Sequence, residues 1–461
     1  MKTRLLFSII FISLAVPFAQ SQWMYTDLAE PKLRMGCATL GTKAYFAGGD
    51  NTSVDLTLVE IYDVTDQSWS YENLSVGRML PEGVSCGSKV FFAGGVAGNF
   101  ETFCDVVDIY DTLTGEWTVE YLTAPRFSIS AVAHPGQNKV LFAGGLNMSN
   151  FTAYDVVEIY NVGTGEWEDP TYLSIGRGSM GSAVVGDLAI FAGGYNFLEY
   201  TDRVDIYNFV TGTWTTDTLS MPRGFTSAGT VGEKVFIAGG MIDPNDPYTP
   251  SYYMDVYDNA TGMWSVKFIP NPRAFFESAP TINDSLFFAG GGNFYGAGGA
   301  YISASDLVDI YDAGTGEWIA EQLTHPLINH SVTSVITQDM GYLVVAGGAS
   351  LGEFYSTVEI LMGPAVGVEE SAVSSQQSAV SCYPNPTSGI VDFRFSILDS
   401  RLVSMKIYNA QGREVATVLD GRVSGEQVVR WDATALPAGV YFYQLRAKGV
   451  GQISAGKIVK Y

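Results

Sequence analysis

Short apolar runs ending in paired glycines punctuate the chain: KAYFAGG, KVFFAGG, KVLFAGG, LAIFAGG, KVFIAGG, SLFFAGG and YLVVAGG. Each run is too short for a helix and rich in Phe and Val, so it predicts a buried strand stopped by a residue pair that permits a sharp turn. After a segment of varying length comes a second run in which an acid is framed by apolar residues: VEIYD, VDIYD, VEIYN, VDIYN, MDVYD, VDIYD and VEIL. This alternation also predicts strands. Six of these runs pass through a short turn, such as DTLTGEW, into Trp69, Trp117, Trp167, Trp214, Trp264 and Trp318. The seventh has no such tryptophan. Trp23, however, stands alone ahead of the first glycine pair, where it can supply the outer strand of the last unit and close a circle without open ends. The glycine pairs recur every 46 to 57 residues, the period of a sheet-built blade.

Composition sharpens this all-β expectation. The 51 glycines and abundant Phe and Tyr favour strands over helices. Charge then divides the chain. Residues 22–382 carry 13 Lys and Arg against 42 Asp and Glu, whereas residues 383–461 carry 10 against 6. So acidic a body argues against nucleic acid, whose phosphates it would repel. Residues 1–21, with Lys2, Arg4, an apolar run and small residues Ala19 and Ser21, read as a signal peptide cut before Gln22. No membrane span is expected in the mature protein. The expected organisation is a signal peptide at 1–21, a propeller at 22–362, a Ser- and Gln-rich linker at 363–382, and a second body at 383–461. Four cysteines (Cys37, Cys86, Cys104 and Cys382) without a CxxC spacing indicate neither a disulfide scaffold nor a zinc site.

The double glycine, the E/D-I-Y-D segment and the tryptophan after a TG turn resemble kelch repeats over about residues 22–362. That resemblance implies a seven-bladed β-propeller. The second body, with CYPNPTSGIVDF, VSMKIYNAQGREV, LPAGVYFYQL and a terminal GKIVKY, resembles the type A C-terminal sorting domain of the type IX secretion system. Its motif residues here are Pro384, Asn385, Pro386, Gly389, Gly412, Gly439 and Lys457. The resemblance implies a small immunoglobulin-like β-sandwich, handling by the type IX machinery, and a secreted or cell-surface address.

The repeats also constrain the chemistry. Asp105, Asp108 and Asp111, like Asp306, Asp309 and Asp312, invite a cation, but the middle acid recurs in every blade as Glu60, Glu158, Asp205, Asp255 or Glu359. No calcium-loop pattern accompanies them, so neither metal nor cofactor is expected. Arg34, Arg78, Arg126, Arg177, Arg223 and Arg273 lie nine to eleven residues after a tryptophan, with Leu327 in that place in the last blade. Two roles stay open for them: pairing with the strand acids, or an anion-binding mouth on the central channel. His134, His325 and His330 are the only histidines, and no nucleophile motif accompanies them. The long loops after the glycine pairs carry Asn99, Phe100 and Phe103; Asn150, Phe151 and Tyr154; Asn196, Phe197 and Tyr200; Tyr252 and Tyr253; Asn293 and Tyr295. Such aromatics suit stacking on sugars or gripping peptides, or else packing the loops together. The resulting expectation is a non-catalytic protein binding an extracellular carbohydrate or protein through this loop face. The alternative is an enzyme acting on glycans or sialic acid.

Overall fold

The computed structural model describes residues 22–461 apart from 52–54, 99, 244–245, 275–278, 296–300, 351, 365–380, 384–386, 410–412 and 448–450. Residues 1–21, assigned above to a signal peptide, lie outside the described residues. The chain forms two compact units, 1–366 and 367–461. No helix among the described residues is long and apolar enough to cross a membrane.

Among the described residues, the first unit holds seven antiparallel sheets of one design. In blade 1 the strands run Gly36–Leu40, Lys43–Ala47, Leu58–Asp63 and Ser68–Asn73, in sheet order from inside to outside. Blades 2 to 6 repeat it. Their innermost strands are Glu82–Cys86, Ser130–His134, Gly181–Val185, Ser227–Val231 and Thr281–Ile282, and each touches the next. Blade 7 combines Ser331–Ile336, Met340–Ala346 and Thr357–Pro364 with an outer strand from the other end of the unit, Gln22–Asp27. Trp23 lies opposite Leu361 in that pairing. The innermost strands of blades 7 and 1 are also in contact, so the ring closes.

The glycine pairs earn their repetition at the seams between blades. In blades 1 to 4 the first glycine of each pair has φ between +62° and +68°, and a Cβ there would lie 2.2–2.5 Å from the carbonyl oxygen of Arg78, Arg126, Arg177 or Arg223 in the next blade. Only glycine tolerates both the left-handed backbone and that approach. The tryptophans close the same seams at the rim. Trp69, Trp117, Trp167, Trp214 and Trp264 each donate an indole N–H to the outer strand of the preceding blade, on Thr26, Glu72, Glu120, Thr171 and Asp217. Thr26 belongs to the strand that closes blade 7, so the closing strand is tied to blade 1 as well as to its own sheet.

In the second unit, strands Ser381–Tyr383, Ile390–Asn409, Glu414–Asp432, Gly439–Ala447 and Gly451–Lys460 join in one hydrogen-bonded network. The register shifts between Ile397 and Arg401. Either side of that shift, Val391, Phe393 and Phe395, then Val403, Met405 and Ile407, alternate into a core with Trp431, Tyr441 and Tyr443. Of the motif residues, Gly389 packs against Thr434, and Gly439 is registered with Lys460. Pro384, Asn385, Pro386, Gly412 and the Lys457 side chain lie outside the described residues.

Candidate ligand site on the loop face

The arginines sort first, because burial decides what they can do. Arg78, Arg126, Arg177 and Arg223 are fully buried, and Arg273 nearly so. Each forms an ion pair with the acid in the third strand of its own blade: Arg78 with Asp108, Arg177 with Asp205 and Arg273 with Asp309, all at 2.7 Å, and Arg126 with Glu158 and Arg223 with Asp255. The Nε–H of Arg78, Arg126, Arg177 and Arg273 donates to the first-glycine carbonyl of its own blade. The acid's other contacts secure the link from the preceding blade, as when Ser75 N–H donates to Asp108 and Ser174 N–H to Asp205. Burial pulls the Arg177, Arg223 and Arg273 guanidinium groups below their usual range, while their carboxylates oppose the shift. These five side chains are girders inside the blades. Of the two roles left open for them, these arginines take the pairing with strand acids, and the anion-binding mouth built from Arg78, Arg126, Arg177, Arg223 and Arg273 is corrected: their charge is already matched and closed to solvent.

Arg34 is corrected in the opposite direction. The residue pairing with Glu60 is Lys32, at 3.2 Å with both side chains buried, and burial lowers the Lys32 pKa. Stretching the tryptophan spacing to eleven residues to reach an arginine misplaced the register, since Lys32 stands nine residues after Trp23, as Arg78 does after Trp69 and Arg273 after Trp264. Counted forward to the following glycine pair, Lys32 stands 16 residues before Gly48, the separation of Arg78 from Gly94 and of Arg177 from Gly193. Arg34 instead occupies the position two residues past the girder, which is left-handed in every blade where it is described: Arg34, Leu80, Ser128, Ser179, Phe225 and Asn329 have φ between +51° and +58°. These six residues ring the mouth of the central channel, a cavity of about 770 Å³.

Deeper in, the channel wall carries the hydroxyls of Thr39, Ser85, Ser182 and Thr333. Some already tie neighbouring inner strands, as Ser85 donates to the Thr39 carbonyl. Among the described lining residues Arg34 is the one cation and Glu82 the one carboxylate. Phe100, Phe127 and Phe225 supply aromatic surface at the mouth.

From the mouth the aromatics continue along the loops. Phe127 meets Phe100 and Phe103 at 6.2 and 5.6 Å; Phe197 meets Phe151 and Tyr195 at 5.6 and 5.7 Å; Tyr200 meets Tyr195 and Phe225 at 5.4 and 6.2 Å. Tyr154 lies over the Arg126 guanidinium at 5.6 Å, and Tyr253 packs on Phe268 on the outer strand at 5.5 Å. Much of the predicted aromatic set therefore packs the loops. Phe151 and Tyr252 remain exposed, at 74% and 55%. Phe100, Phe151 and Phe197 also hold left-handed backbones, with φ of 69°, 53° and 73°, which costs a bulky side chain some strain. The amides serve the turns that hold these tips: Asn150 accepts from Thr152 N–H, and Asn196 from Leu198 and Glu199 N–H. Asn99 and the side chains of Asn293 and Tyr295 lie outside the described residues. Phe127 and Phe225 were missed in the sequence because they stand outside the long variable loops that drew attention, and Tyr195, inside one, was passed over beside Asn196 and Phe197.

The remaining candidates do not converge. His134 accepts Gln137 N–H through Nδ1 in a turn; His325 stacks on Tyr355 at 4.4 Å; His330 is fully buried. Asp108 is enclosed by its arginine, whereas Asp111 pairs with Lys89 at 3.0 Å. Among the described residues no cluster of His, Cys, Asp or Glu could hold a metal ion.

Comparison with known proteins agrees with this architecture. Residues 176–216 match the Kelch motif, and residues 381–460 match the Secretion system C-terminal sorting domain. The solved structure of YjhT is similar at 17% identity and TM-score 0.50, covering 64% of this chain and 99% of that one, which speaks to the fold alone. No curated protein matches the sequence. The chain thus carries a kelch-type propeller followed by a type IX sorting domain, and that domain directs export to the cell surface or extracellular space.

Proposed function

We propose that the propeller is a non-catalytic binding protein whose loop face takes an extracellular carbohydrate or protein. The observation that carries this reading is the channel of about 770 Å³ opening among the loops, lined by hydroxyls and fringed with aromatic rings. A concave site with apolar walls and few charges suits an uncharged, hydroxyl-rich ligand, or a peptide side chain inserted from a partner. The reading favours binding over hydrolysis of neutral glycans because the usual route of that reaction places two carboxylates across the scissile bond. The described lining supplies one, Glu82.

A glycan and protein array probed with the mature chain tests the proposal. Phe151→Ala removes an exposed ring and should weaken retention of a bound probe by about 0.5–1.5 kcal/mol while leaving the melting temperature nearly unchanged. Hydrolysis or isomerisation of an arrayed glycan would reject the non-catalytic reading. Silence across both arrays would reject the loop face as a binding site.

A further inference from the structure

The innermost strand begins with Gly36, Ser130, Gly181, Ser227 or Ser331 in five blades, and blade 2 puts Glu82 there. Ser130 and Ser331 use their hydroxyls to tie that strand to the next blade, donating to the carbonyls of Met180 and Met35. A carboxylate cannot donate. Glu82 instead accepts Ala131 N–H through Oε1 at 3.3 Å, so its side chain spans the seam between blades 2 and 3, half-buried and lining the channel. The backbone is open at the same seam. Around the mouth the left-handed residues join in a collar: Arg34 N–H donates to the Asn329 carbonyl, Leu80 N–H to Arg34, Ser179 N–H to Ser128 and Phe225 N–H to Ser179, at 2.7–3.1 Å. Between blades 2 and 3 that link is missing. Among the described residues Ser128 N–H has no acceptor and the Leu80 carbonyl no donor, although both residues line the cavity. Phe100 and Phe127 stand here, 6.2 Å apart, and Leu80, Pro81, Val84 and Ile129 give the two blades an apolar wall.

We propose that this seam receives a lysine or arginine side chain presented by an extracellular protein, with the Glu82 carboxylate and the Leu80 carbonyl accepting from its cationic head. An ammonium or guanidinium carries donors only, and here the wall offers a charged acceptor beside a neutral one. The aliphatic stem of such a side chain lies well on an apolar surface while its head reaches a polar group, which suits the wall formed by Leu80, Pro81, Val84 and Ile129. The body supplies the attraction at longer range, with 13 Lys and Arg against 42 Asp and Glu over residues 22–382. Arg34, the one cation of the described lining, stands 3.5 Å from Asp50, which offsets its repulsion. An acidic side chain would meet Glu82 instead, and an amino sugar brings no long apolar stem to cover the wall. The inference deepens the protein-binding half of the proposed function and rests on it.

The test is calorimetric titration of the full mature chain with blocked Gly-Gly-X-Gly-Gly peptides in which X is lysine, arginine, norleucine or glutamate, and with an oligomer of glucosamine. The lysine or arginine peptide should bind about tenfold or more tightly than the norleucine one, the worth of one hydrogen bond to a charged group. Glu82→Gln keeps an acceptor for Ala131 N–H but removes the charge, so it should erase that preference without lowering the melting temperature. Glu82→Ser, which installs the residue of blades 3 and 7, should do the same and replaces Glu82→Gln if that variant unfolds early. Equal binding of the lysine, arginine and norleucine peptides, or a preference that survives both variants, would overturn the cation socket and leave the loop-face reading standing. Preference for the glutamate peptide would place an anion site at the mouth instead. Binding of the glucosamine oligomer alone, lost in Glu82→Gln, would give the socket to a saccharide and overturn the protein ligand. If no peptide binds the wild type, the socket falls, while the glycan and protein array still decides the loop face.

Discussion

Arg177 and Arg34 are the same residue type on the same face of the same ring, displaced by two positions in the repeat. Arg177 is fully buried at 2.7 Å from Asp205; Arg34 is 29% exposed, with its acid 3.5 Å away. Two residues of register convert a buried girder into a partly exposed side chain lining the channel. In a propeller, therefore, a recurring charge belongs to the blade, and the charge that breaks the recurrence is the one to examine for function. Blade 7 teaches a related lesson: with Leu327 in the girder position, Glu359 is capped by Thr324 N–H and hydroxyl alone.

The most severe way to break the comparison is to open the ring. Removing Gln22–Asp27 takes Trp23 and a whole strand of hydrogen bonds from blade 7, and the Thr26 partner from Trp69. Stability should fall by several kcal/mol, seen as an earlier and broader melt, because burial and backbone bonding are lost together. An unchanged melt would show that the ring does not depend on its closing strand.

Next comes the girder itself. Arg78→Ala leaves Asp108 buried without its cation and should cost about 3–5 kcal/mol in chemical denaturation. Arg34→Gln should change stability by no more than about 0.5 kcal/mol, since its contacts are long and partly solvated. Equal costs for the two variants would erase the distinction drawn above.

His330 sharpens the picture through pH. It stands at the position that packs on the glycine pairs, against Gly290 and Gly348, where other blades use Met35 and Met180. Nε2 lies 3.0 Å from the Ala289 carbonyl, and burial lowers its pKa to about 4. The unfolded chain binds this proton more readily than the folded one. The stabilisation is thus complete above the ordinary histidine pKa of about 6.5 and is lost as pH falls towards 4, on the order of 3 kcal/mol over that window. His330→Met should flatten this part of the stability profile when unfolding is followed from pH 7 to pH 4. A variant as acid-sensitive as wild type would place the loss in other groups.

Much of this protein is legible in its sequence because a repeat states its rule seven times. The glycine pairs, the acid between apolar neighbours and the tryptophan spacing identify the strands, and the isolated Trp23 announces closure. Each is a local requirement of backbone conformation or strand alternation, so a single sequence can display it. The terminal motifs likewise identify the export domain without reference to contacts.

What only the tertiary structure decided was which side chains face inward to protein and which face the channel. Residue type equates Arg34 with the girders, although it stands eleven residues after its tryptophan and the usual spacing of nine falls on Lys32. The pairing of Lys32 with Glu60 shows that spacing, and not residue type, marks the girder. The loop aromatics showed the same ambiguity: Phe197 and Tyr200 are absorbed in ring contacts across blades, while Phe151 stays exposed. The physical reason is that burial and pairing across blades depend on residues about fifty positions apart brought to within a few ångströms, and no local pattern records which of two neighbouring residues will fill that gap.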